Sequence, residues 1–187
     1  MKKYKYAASP IAVLTLLAFG LATLFGPAWA GKPEFLDILA PALKKGAVLI
    51  PKMAVATQVM KGDRAVGINL EFEECENDYP SVLLPAPAKG WDLSSYDALE
   101  VEIENTGTGS EKSLFCVGMQ NFGGSRKNQN GIALVPGEIG FVRVEFGFSW
   151  GKPDEKPDLK SIDAIFIFIG PKQKAACVIK SLRAVKN

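Results

Sequence analysis

Residues 90–107, GWDLSSYDALEVEIENTG, combine a polar turn with a strand of strict period two. Leu99, Val101 and Ile103 alternate with Glu100, Glu102 and Glu104. That spacing gives a strand with one face on a core and the other in water. Asn105-Thr106-Gly107 then ends it with residues that tolerate positive φ. The phrase returns as DLKSIDAIFIFI at 158–169. Aligned on Asp92 and Asp158, the two copies share Asp, Leu, Ser, Asp, Ala and the final Ile. A chain that uses one turn-plus-strand unit twice is constrained to be built of β-sheet.

The rest of the chain agrees. Residues 46–50 and 53–60 read as strands separated by Pro51, and residues 65–73 alternate again. Shorter runs follow at 81–84, 113–120, 132–135 and 139–148, with a last strand near 176–184. Turn signals such as Lys61-Gly62-Asp63, Pro136-Gly137 and Gly170-Pro171 punctuate them. Residues 35–43 have the spacing of a short helix or turn, limited by Pro41. Eight to ten strands without a long amphipathic helix predict an all-β single sandwich with Greek-key or jelly-roll connections. Residues 162–169 are apolar on both faces, which predicts either a covered central strand or one wall of a binding groove.

The first 30 residues read as a segment apart. Lys2, Lys3 and Lys5 precede an uncharged apolar run, Ile11 to Phe25, and Ala28-Trp29-Ala30 supplies small residues where a signal peptidase reads. This predicts a signal peptide, residues 1–30, cleaved after Ala30, with export to a periplasmic, cell-surface or extracellular location. A retained membrane anchor competes, but the run is short for a span of roughly 20 residues. The remaining 31–187 suffice for one β-sandwich domain, with 31–45 as a flexible or short helical lead-in. Without the three leader lysines, 19 basic residues face 20 acidic ones, which gives no reason to expect nucleic acid or an anionic membrane as partner.

The sequence contains no histidine, which removes Ser-His-Asp and Cys-His nucleophile activation and histidine metal sites. Cys75, Cys116 and Cys177 have no CxxC spacing, so no zinc knuckle or redox pair is indicated. Two of them could pair in an exported protein, leaving the third free or in an intermolecular bridge.

The phrases GWDLSSYDALEVEIENTG, VPGEIGFVRVEF, LKSIDAIFIFIG and CVIKSLRAV resemble those of the jelly-roll carbohydrate-binding modules of the galactose-binding-like superfamily. The resemblance runs from about Tyr79 to Val185, and its motifs are structural. It implies a non-catalytic module attaching to a polysaccharide or glycoconjugate. Lys180-Ser181-Leu182-Arg183 stands where such modules usually carry Asp-Asn. A lysine cannot serve as the calcium ligand that Asp often provides, which counts against a structural calcium, and no other cofactor is indicated.

Sugar binding needs flat aromatic faces and side chains that bridge adjacent hydroxyls. Residues 121–131, NFGGSRKNQNG, read as an exposed polar loop. That loop and its neighbour offer Gln120, Asn121, Phe122, Arg126, Asn128 and Asn130 as carbohydrate-binding candidates, with Lys127 and Gln129 among the polar side chains beside them. Trp150, between Ser149 and Gly151, is a stacking platform or a lid on the core. Trp91 and Tyr96 belong to the repeated turn and are expected to pack. A protein-interaction or scaffold module on the same fold, with a protein partner and no sugar site, is the alternative. A small glycoside hydrolase would use Glu100 and Glu102, whose same-face spacing of about 6.5–7 Å reaches the separation such chemistry needs. It would also need a cleft around them, and three glutamates on one face are ordinarily a solvated surface that discourages edge pairing.

Overall fold

The two copies of the repeated phrase meet each other. Trp91 and Ile162 exchange backbone hydrogen bonds of 2.9 and 3.0 Å, and Leu93 N–H donates to the Leu159 carbonyl at 2.6 Å. Asp92 accepts the Ser94 N–H and Asp158 accepts the Lys160 N–H, each at 3.0 Å. The carboxylate thus closes the same local turn in both copies. Leu93 and Ile162 are fully buried at this crossing, with Trp91 and Tyr96 packed against the same core. One copy then feeds a strand into each of two sheets.

This is a computed structural model describing residues 34–44, 49–121, 127–147 and 157–187. The expected signal peptide lies outside the described residues. In order, the elements are β1 (Phe35–Asp37), α1 (Leu39–Ala42), β2 (Ile50–Lys52), β3 (Ala54–Lys61), β4 (Arg64–Phe72), β5 (Ser81–Pro85) and β6 (Ala98–Asn105). They continue with β7 (Ser113–Gln120), β8 (Lys127–Leu134), β9 (Ile139–Glu145), β10 (Ala164–Ile169) and β11 (Ala175–Val185). A six-stranded sheet runs β3-β4-β11-β6-β9, with β1 paired to the end of β11. A five-stranded sheet runs β2-β5-β10-β7-β8. Every pairing is antiparallel.

The inward sets form one core between the sheets. Ile68, Leu70, Leu99, Val101, Ile103, Val142, Val144 and Ile179 come from the six-stranded sheet. Val82, Leu84, Phe115, Val117, Met119, Ile165, Ile167 and Ile169 come from the other. The architecture is the expected β-sandwich. Among the described residues it has eleven strands against the eight to ten expected; β1 is the added one, and the strand expected over 46–50 is met by β2, shifted to Ile50–Lys52, both being three-residue strands held by backbone pairing. One of them, β1, takes the place of the first turn of the expected helix, leaving α1 as a single turn around Pro41. The other, β2, contains Pro51, which was expected to separate two strands. It pairs only with β5, so its missing N–H can sit on the free edge.

The expected exposed loop over 121–131 is corrected at its second half. Residues 127–131 belong to β8, and Asn128 is buried. The reason lies in what these asparagines bond. Asn128 Nδ2 donates to the Glu145 carbonyl and Asn130 Nδ2 to the Arg143 carbonyl, at 2.5 and 2.8 Å. Asn105 Nδ2 donates to the Leu134 carbonyl at 2.8 Å, while its Oδ1 accepts the Gly107 N–H. Along this flank β8 and β9 belong to different sheets, so no backbone ladder joins them, and side-chain amides make the connection. The glutamate row is also corrected in its setting. β6 is an interior strand, so Glu100, Glu102 and Glu104 guard no edge. Arg143 and Arg183 hold Glu100 at 2.6 and 3.1 Å, and Lys180 holds Glu104 at 2.7 Å.

Asn128→Ala removes a buried amide and leaves the Glu145 carbonyl without the donor that joins β8 to β9 there. We expect a loss of about 1–3 kcal/mol, read as a lower urea midpoint with an unchanged slope. An unchanged midpoint would show that the flank holds without this amide.

Candidate functional site

The outer face of the five-stranded sheet can be built from the register. One row across the strands reads Lys52, Ser81, Phe168, Cys116, Gly131. The next reads Ile50, Leu83, Phe166, Gly118, Gln129. A third brings Ala164 beside Gln120. Each large ring on β10 thus has a small residue beside it, Ser81 and Cys116 next to Phe168 and Gly118 next to Phe166, which hollows the face. The result is a groove of about 480 Å³ with Phe166 and Phe168 in its floor and Lys52, Asp78, Tyr79, Gln120 and Gln129 among its walls.

Gly118 sets the floor. A Cβ at this position would come within 2.3 Å of the Phe166 ring. Its absence lets the ring lie across β7. Phe166 and Phe168 pack with centroids 5.5 Å apart, tilted by 32°. Tyr79 meets Phe168 edge-on at 6.0 Å and is 54% exposed, so it presents an aromatic surface to solvent. The segment carrying Tyr79 is fixed from the edge strand. Lys52 Nζ lies 2.6 Å from Asp78, whose Oδ1 also accepts the Tyr79 N–H at 2.8 Å. The Lys52 hydrogen bond, with that N–H behind it, holds the Asp78 carboxyl below its usual range.

A ligand on this face meets aromatic rings, two flexible carboxamides, a serine hydroxyl and an ion pair. Rings accept the C–H surface of a sugar, and a carboxamide can donate to one hydroxyl while accepting from the next.

The sequence-derived candidates divide into three groups. Gln120 lines the groove. Asn121 lies next to it, but its side chain ties down the second repeated turn. Nδ2 donates to the Ser161 carbonyl at 2.5 Å and to that of Asp158 at 3.2 Å, and Oδ1 accepts the Asp158 N–H at 2.8 Å. Asn128 and Asn130 extend their amides to β9, as described above. Phe122, Arg126 and Trp150 lie outside the described residues.

Of the loop residues that the sequence offers, Gln129 also lines the groove, whereas Lys52, Asp78 and Tyr79 carried no local signal, and Phe166 and Phe168 entered only as part of the doubly apolar run at 162–169. A usable signal was present. A strand of a two-layer sandwich has one face on the core, and β10 is apolar on both. With no third layer to cover it, the second apolar face belongs to a groove.

The opposite face is chemically different. Both Glu100 oxygens are engaged by guanidinium groups, and the Ser181 hydroxyl approaches Glu102 at 3.5 Å. The three cysteines carry free thiols. Burial raises the Cys116 thiol to about 11 and pushes that of Cys177 higher still. Among the described residues no cluster of three His, Cys, Asp or Glu side chains could hold a metal, and no helix is long and apolar enough to cross a membrane.

No protein-family model and no curated protein matches the chain. Solved structures do. An exo-β-agarase superposes with a TM-score of 0.62 at 14% identity, over 82% of this chain and 25% of that one. The chain therefore spans about a quarter of the length of the agarase. The family 11 carbohydrate-binding module from Clostridium thermocellum, solved with a β-1,3-1,4-mixed-linked tetrasaccharide, matches at 12% identity and TM-score 0.50. That match covers 84% of this chain and 92% of the module. A family 29 carbohydrate-binding module, a mutant made to probe ligand recognition, matches at 15% identity and TM-score 0.51, over 82% and 90%. The chain shares the jelly-roll β-sandwich fold of these solved structures.

Proposed function

We propose that this protein is an exported, non-catalytic module that binds a polysaccharide or glycoconjugate in the groove on the outer face of the five-stranded sheet. One observation carries the reading. The half-exposed Tyr79 ring meets Phe168 of the Phe166–Phe168 pair edge-on, in a groove of about 480 Å³ that Gln120 and Gln129 also line. Tyr79 stacks on a pyranose ring, the glutamines bridge its hydroxyls, and Lys52 with Asp78 fixes one wall. The two module structures with related folds carry names that describe binding of sugars, which supports the same class of ligand here. Trp150 as a further platform, with Phe122 and Arg126 as further contacts, belongs to the same reading on sequence grounds alone.

Export rests on the leader-like residues 1–30. The catalytic alternative is disfavoured by the setting of Glu100, whose carboxylate is engaged by two arginines on a sheet face. Affinity at one such site is modest and gains from multivalent display.

The test is affinity electrophoresis through gels containing soluble polysaccharides, with Tyr79→Ala and Trp150→Ala run beside the parent. Retardation by one polymer, weakened about tenfold or more by Tyr79→Ala, is the expected result; tenfold corresponds to about 1.4 kcal/mol. Free migration in every gel would overturn the reading and favour a protein partner, for which the exposed Ile139 and Phe141 on β9 are the first surface to examine.

Gly118→Ala tests the floor separately. The added methyl meets the far edge of the Phe166 ring and displaces it. Binding should fall about tenfold or more, with little change in the urea midpoint. Full binding in this variant would show that Phe166 does not contribute.

A further inference from the structure

A second hollow of about 400 Å³ continues the groove along β7 and β10. The two share Tyr79, Gln129 and Phe168, so a chain lying in the first runs directly into the second. Their chemistry differs. Beyond the shared rings, the second is walled by Leu114, Cys116, Gly131, Gly170 and Pro171. Cys116 is a neutral thiol that packs as a small apolar group, since burial raises it to about 11. Asn130 reaches this rim with its amide already engaged, Nδ2 on the Arg143 carbonyl and Oδ1 on the Gly131 N–H. Gln129, at the junction, is the carboxamide directed to the outer face.

A bare sugar unit placed here would bury hydroxyls against carbon and a thiol. An unpaired hydroxyl in an apolar site is penalised, whereas a small apolar group is not. We propose that the second hollow receives an O-acetyl group on the bound polysaccharide. The methyl would sit against Leu114, Cys116 and Phe168, with the ester carbonyl accepting from the Gln129 amide at the rim. This rests on the sugar-binding reading of the first groove and deepens it. The module would then select acetylated polymer over the same polymer without its esters.

The experiment compares native acetylated glucomannan and acetylated xylan with their alkali-deacetylated forms in affinity gels. Leu114→Asn is run beside the parent. Leu114 is 40% exposed, so its replacement leaves the core intact, and a urea midpoint checks this. The expected result is stronger retardation by an acetylated polymer, about fivefold or more, with the difference abolished in Leu114→Asn while retardation by the deacetylated form persists. Equal retardation by both forms overturns the acetyl inference and leaves the sugar reading standing. A preference that survives Leu114→Asn also overturns it, since the discrimination then lies elsewhere. Free migration in all gels, including a wider polysaccharide panel, overturns both.

Discussion

β10 is the strand on which the rest depends, because it is apolar on both faces in a fold of only two layers. Ile165, Ile167 and Ile169 fill the core, and Phe166 and Phe168 occupy the other side. Two exposed phenylalanines on a flat sheet would be an aggregation hazard. Here small neighbours at Gly118, Ser81 and Ala164 let the rings settle below the surrounding surface, leaving each only 9% exposed. Hiding those rings and hollowing the face are one event. The groove follows from where glycine stands next to phenylalanine.

The same economy appears at the flank. A sandwich whose sheets are not joined by a ladder leaves outward carbonyls on its edge strands. Three asparagines meet that need, from Asn105 at the end of β6 and from Asn128 and Asn130 on β8. Each amide substitutes for a backbone donor that the topology cannot supply. The five-stranded sheet is thereby anchored at β8, the strand that also brings Gln129 into the groove.

How far the sequence could be read depended on the kind of information each element carries. Period-two alternation made β6 and β4 legible, and the repeat of DLSSYDA as DLKSIDA anticipated that one unit would serve twice. It did not reveal that the copies would pair at Trp91 and Ile162, because pairing is a property of register. The three-residue strand β1 left no pattern, and the strand read at 46–50 is met by β2 only from Ile50, because both are specified by the backbone of β11 and β5. Asparagines and glycine in NFGGSRKNQNG resemble a solvated loop by composition. Asn128 and Asn130 read that way because nothing local distinguishes an amide facing water from one facing a carbonyl 17 or 13 residues away. The groove was one of two readings that the doubly apolar run at 162–169 left open, and the two-layer topology decides between them.

The two faces of the molecule then make opposite offers to a ligand. The six-stranded sheet presents ion pairs at Glu100 and Glu104 beside the exposed Ile139 and Phe141, and the five-stranded sheet presents rings and carboxamides in a hollow. The central claim is that ligand lies on the second. It is tested most directly by titrating 15N-labelled protein with oligosaccharides from whichever polymer retards it and following the backbone amides. The account predicts shifts clustered at Tyr79, Gln120, Gln129 and Phe168. Shifts clustered instead at Glu100, Glu102 and Arg183 would contradict it.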